Sequence, residues 1–126
     1  MELKPTEKEL EILQVIWKEG PSTVREVNDA LSVTSEVGYT TTLKLMQIMF
    51  DKGLLSRTLQ GKTHRYTAQF SQEKAQATML EKLMSNVFEG SAKKLVMQAL
   101  GNSTSTDKEL EEIRAYIEQL KKERNA

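Results

Sequence analysis

The sequence predicts a mainly α-helical protein with one small β-hairpin. It divides into an N-terminal domain over residues 1–70 and a helical C-terminal region over residues 71–126. Three observations lead there. Apolar residues recur at steps of three and four along most of the chain, which is the helical period. That period breaks once, where two short β-prone runs flank Gln60-Gly61-Lys62. Capping signals and Gly or Pro breaks divide the helical remainder into separate rods.

Pro5-Thr6-Glu7-Lys8-Glu9 opens the first helix, with Thr6 as cap and Glu9 closing a capping box. Leu10, Leu13, Ile16 and Trp17 form its apolar stripe, and Trp17 is most simply a core residue. Gly20-Pro21 ends it. Thr23 and Glu26 repeat the box ahead of Val24, Val27, Ala30 and Leu31. Residues 32–38 read as a loop. A third helix runs from about Tyr39 to Lys52, with Thr42, Leu45, Met46 and Met49 inward and Gly53 as its stop. Leu54 to Leu59 and Thr63 to Thr67 are the two strands.

Helix resumes at Ser71. Met79, Leu80, Leu83, Met84, Val87 and Phe88 make a face too wide to be covered from one side. Gly90-Ser91 breaks it, and Leu95, Val96, Ala99 and Leu100 sit on a short fifth helix. Gly101 to Ser105 reads as a polar connector. Thr106 and Glu109 form a third box, and Leu110, Ile113, Ile117 and Leu120 make a two-heptad seam. The first five elements form a helix-turn-helix with a β-hairpin wing. The last three are too few to stand alone in water, and two copies exchanging apolar faces would solve that.

The formal net charge is zero, but it is unevenly spread. Val37 to Gln72 carries five bases and one acid, whereas Met1 to Glu36 carries four bases and eight acids. A helix beside a basic hairpin suits a nucleic-acid duplex. Absence of cysteine excludes disulfides and thiolate metal sites. With one histidine and no Gly-rich phosphate loop, catalysis is excluded on inventory and neither metal nor cofactor is expected. No apolar run approaches the roughly 20 residues that span a bilayer. Met1 to Pro5 lacks the apolar stretch of a secretory signal, so the expected location is the cytoplasm, without membrane insertion.

The chain resembles the BlaI/MecI family of bacterial winged-helix repressors over nearly its whole length. The matching pieces are Thr6 to Leu13 leading to Trp17, Val24-Arg25-Glu26-Val27 and Tyr39-Thr40-Thr41-Thr42-Leu43. They continue with Lys52-Gly53-Leu54-Leu55 and Gly61-Lys62-Thr63-His64-Arg65-Tyr66. The resemblance implies a homodimer on a palindromic double-stranded DNA operator that blocks transcription, with the C-terminal helices dimerising. It also implies relief by a membrane sensor with a metalloprotease domain, which cuts such repressors at an Asn-Phe bond. Gln98-Ala99 stands at that place here, a departure that bears on the cleavage specificity. A copper-responsive branch ends in a cysteine cluster that this chain lacks.

Base edges are read by side chains near the N-terminal half of a helix in the major groove. With Thr42, Leu45, Met46 and Met49 inward, Thr40, Thr41, Leu43, Lys44 and Gln47 are left for DNA. Lys44 suits guanine or phosphate, Gln47 an adenine edge and Leu43 a thymine methyl. On the wing, Lys62 and Arg65 are the expected phosphate contacts, with His64 near them. First-turn amides of helices one and two are further phosphate positions, with Thr23 as the side chain there. Leu83, Val87, Phe88, Leu95, Leu110, Ile113, Ile117 and Leu120 are the expected dimer contacts. The competing function is a winged helix that docks another protein without DNA. An acid-poor helix and wing together favour the duplex.

Overall fold

A computed structural model describes residues 4–126. Its elements are α1 (Glu7–Glu19), β1 (Ser22–Thr23), α2 (Val24–Leu31), α3 (Tyr39–Asp51), β2 (Leu55–Gln60), β3 (Thr63–Ala68), α4 (Gln72–Val87), α5 (Ala92–Asn102) and α6 (Asp107–Arg124). The chain separates into two compact units, residues 1–82 and 83–126, and the boundary falls within α4. None of the described helices is long and apolar enough to cross a membrane.

The local signals act as the sequence implies. Thr6, Thr23 and Thr106 each cap a helix, with Glu9, Glu26 and Glu109 returning a carboxylate to the cap amide. α3 ends in a Schellman arrangement. Gly53 turns left-handed at φ 81°, and the Leu54 amide reaches back to the Met49 carbonyl at 2.9 Å. Two features differ from the sequence reading. A two-residue strand, β1, adds to the hairpin, giving an antiparallel sheet of order β1-β3-β2 with Thr23 opposite Arg65. Two residues are too few to show a period, and Thr23 already serves as a cap. Gly101 and Asn102, expected in the connector, instead complete α5, because a glycine near a helix end costs only about 1 kcal/mol.

In the first unit Ile12, Leu13 and Ile16 of α1 meet Val24 and Val27 of α2, Met46 and Met49 of α3, Leu54, and Leu55 and Tyr66 of the sheet. Trp17 packs against this core half-buried, and its indole N–H donates to the Phe70 carbonyl at 2.8 Å. The indole thereby holds the exit from β3 against α1.

Glu9 is a buried carboxylate, 2% exposed. It accepts from the Thr6 amide at 2.9 Å, and Lys52 Nζ donates to both of its oxygens at 2.9 Å, tying the start of α1 to the end of α3. Burial opposes its ionisation most strongly, but the Thr6 amide and the Lys52 ammonium together outweigh burial and hold the carboxyl below its ordinary pKa. A depressed carboxyl pKa contributes stability that is complete above the unfolded-state value and vanishes as pH falls through the folded-state value. Lys52→Met leaves the buried charge without its counter-ion. It is expected to cost about 2 kcal/mol at neutral pH, with the gap to wild type closing as pH falls through the folded-state value of the Glu9 carboxyl. Urea unfolding across that range reads it, and a gap independent of pH would dismiss the linkage.

The second unit has no buried side chain on α5 or α6. Leu83, Val87, Leu110, Ile117 and Leu120 are exposed, Val87 at 63%, while Phe88, Leu95 and Ile113 are half-buried. α4 closes with Glu89 and Gly90 in the left-handed region, at φ 52° and 78°. α6 carries ion pairs along its length, among them Arg114–Glu111 at 2.7 Å and Lys121–Glu118 at 3.6 Å.

Candidate nucleic-acid interface

α3 buries Thr42, Met46 and Met49. Successive residues turn by about 100°, so the face opposite this stripe carries Thr40, Thr41, Lys44, Gln47, Ile48 and, in the last turn, Asp51. All six are exposed, and Asp51 at the C-terminal end is the one acid among them. Ile48, 38% exposed beside Lys44, was absent from the sequence reading. Stepping on from the inward residues by helical spacing would have found it. Leu43 is half-buried and turns toward the wing. Together with Tyr39 and Gln47 it lines one wall of an open groove of about 360 Å³. Val24 and Arg25 of α2 and Lys62, Thr63, His64 and Tyr66 of the wing line the rest. Arg25, which the sequence reading gave no place beside the duplex, stacks over the Tyr39 ring at 4.5 Å. Thr41 borders a different hollow, with Gly38 and Leu45.

The start of α3 is set by a buried asparagine. Asn28, 8% exposed on α2, sits 2.7 Å from the Thr42 hydroxyl. With its amide nitrogen turned inward it donates to Thr42 Oγ1 at 2.7 Å and to the Val37 carbonyl at 3.1 Å, with the Gly38 carbonyl at 3.3 Å. One side chain therefore grips both the loop before α3 and its first turn. Sequence periodicity gives no hint of this, because an Asn on an amphipathic helix reads as solvated.

The wing turns at Gly61, φ 66°, in a two-residue loop closed by Gln60 opposite Thr63. A two-residue hairpin needs positive φ, which glycine adopts without steric cost. Lys62 is exposed at this tip, and His64 is half-buried, edge-on to Tyr66 at 6.3 Å. Arg57 lies over the Phe50 ring at 3.9 Å, fixing the wing's base to the end of α3.

Arg65 stands differently. Its Nε donates to Gln60 Oε1 at 2.8 Å, and Nη1 donates to the Pro21 carbonyl at 2.8 Å and to Glu26 Oε1 at 3.0 Å. The Thr23 amide, and then the Arg65 charge, hold the Glu26 carboxyl below its ordinary pKa. Thr23 Oγ1 accepts from the Glu26 amide at 3.1 Å, leaving only its hydroxyl hydrogen to donate outward. The first turns of α1 and α2, expected as phosphate positions, are both filled by their own Thr and Glu side chains. α3 alone in this unit begins on a glycine, Gly38, with no side-chain cap and no acid in its first turn.

The family model described as penicillinase repressor matches residues 5–119. A penicillinase repressor from Bacillus licheniformis is 24% identical over 116 residues, which is 92% of this chain and 91% of that protein. The solution structure of monomeric BlaI from the same organism, in complex with the blaP half-operator, is 28% identical. It covers 56% of this chain and 87% of its own, at a TM-score of 0.50. A MarR family protein from Bacillus stearothermophilus shares the fold over 98% of this chain and 78% of its own, at 20% identity and a TM-score of 0.53. The chain belongs to the penicillinase repressor family of winged-helix, DNA-binding transcriptional repressors, which are not enzymes.

Proposed function

We propose that the chain works as a homodimer, each subunit setting α3 in the major groove of one half of a palindromic operator with the wing beside it. The observation that carries this is the outer face of α3, without an acid from Thr40 to Ile48, adjoining a groove whose far wall is the basic wing tip. Thr40, Thr41, Lys44 and Gln47 are the proposed contacts from the helix, and Leu43 faces the same groove. Lys62 and His64 approach the backbone, and the Thr23 hydroxyl donates to a neighbouring phosphate. The BlaI half-operator complex supports one half-site per subunit.

In this proposal residues 1–70 form the DNA-binding domain and residues 71–126 the dimerisation region. The exposed leucines, isoleucine and valine of the second unit support pairing, since a 44-residue segment with α5 and α6 unburied lacks a core of its own. Repression is relieved by a sensor-linked signal. Gln98 and Ala99 are exposed on α5 without the Asn-Phe pair. Any proteolytic relief therefore uses another bond or another specificity.

Affinity for a duplex selected by the wild-type protein from a random pool, measured against salt, tests the reading. Log affinity is expected to fall steeply with log salt, and Lys44→Ala and Lys62→Ala should each flatten the slope by about 1 while sparing the dimer. Binding indifferent to salt and sequence would sink it.

A further inference from the structure

We propose that Arg65 is a positioning residue: a strut that fixes the wing against the start of α2 and holds no phosphate. The inference rests on the duplex-binding reading above. Side chains alternate along a strand, so Arg65 stands on the face of β3 opposite His64 and Tyr66. Those two residues line the groove beside α3, and Arg65 does not. Its guanidinium turns instead to Pro21, Glu26 and Gln60, joining the loop after α1, the first turn of α2 and the last residue of β2. Its backbone is paired with Thr23 at the same place.

A planar guanidinium meets two or three acceptors in fixed directions, which a lysine ammonium on a flexible stem does not. Gln60 adjoins the Gly61-Lys62 tip, so the strut sets where Lys62 and His64 lie relative to α3. Without it the wing still carries its charge, but the tip has to be ordered on binding.

Three variants separate a strut from a phosphate clamp. Arg65→Gln should weaken binding of the selected duplex about tenfold with the salt slope unchanged. Arg65→Lys keeps the charge but loses the fork, and should resemble Arg65→Gln. Glu26→Gln keeps an oxygen for the Thr23 amide and should also weaken binding, because it loosens the strut. A phosphate clamp gives the reverse: a slope flatter by about 1 in Arg65→Gln, near-normal binding in Arg65→Lys, and tighter binding in Glu26→Gln as an acid leaves and the guanidinium is released. Any of these results overturns the proposal.

Amide hydrogen exchange in the DNA-free protein gives a readout that needs no duplex. Arg65→Gln should speed exchange at Thr23, Tyr66 and Thr63, with the α1 amides marking an intact fold. Unchanged exchange there refutes the strut. A wild-type protein lacking salt-dependent duplex binding refutes the functional reading instead.

Discussion

The Ile117→Asp variant is expected to run as a monomer and to bind a full two-half-site duplex about 100-fold more weakly than wild type. Ile117 is 44% exposed in the single chain, on a stripe with Leu110, Ile113 and Leu120 at three- and four-residue steps along α6. A carboxylate placed in that seam would have to be desolvated against apolar partners, at a cost of several kcal/mol. Two linked reading heads gain their avidity from effective concentration, commonly by a factor of about 100 or more, and a split pair loses it.

The helix itself should survive the change. It keeps the Thr106–Glu109 box and the Arg114–Glu111 pair. Sedimentation should therefore show half the mass with little change in helix content. Affinity for a duplex carrying a single half-site should match that of the wild-type subunit. A variant that remains dimeric, or that keeps full affinity as a monomer, would remove α6 from the interface.

Asn28→Leu is the second large effect. Leucine has the same heavy-atom branching as asparagine, though it is bulkier, and it offers no hydrogen bond, so the Thr42 hydroxyl and the Val37 carbonyl lose a buried partner. Stability is expected to fall by about 2 kcal/mol. Duplex affinity of the folded protein should fall about tenfold, or about 1.4 kcal/mol, because the first turn of α3 is no longer pinned to α2. Denaturant titration measures the first and anisotropy with labelled duplex the second. Lower stability with unaltered affinity would confine Asn28 to the fold.

These two variants also mark where the sequence was and was not legible. α6 could be read in full from adjacent residues: a Thr-x-x-Glu start, a spaced apolar seam and a basic last turn. Most of the outward face of α3 followed from its inward stripe by rotation, although Ile48 and Asp51 were overlooked and Leu43, expected outward, is half-buried. Asn28 could not be read this way, since its partners lie across a loop on another helix. Arg65 was equally hidden. In the linear chain it is one more base in a basic segment, and only the packing of β3 against β1 brings Pro21 and Glu26 to it. Local grammar reaches one helix or one turn at a time. Contacts that aim one element at another depend on the assembled whole.

The hydrogen bond from Trp17 to Phe70 has a practical consequence, because Trp17 is the chain's single tryptophan. Its emission is a private optical signal of residues 4–82, to which α5 and α6 contribute no chromophore of that kind. Excited selectively, this indole follows the melting of the α1–wing assembly alone, while far-ultraviolet ellipticity follows every helix. The two traces, overlaid, distinguish a molecule that melts in one step from one that melts in halves.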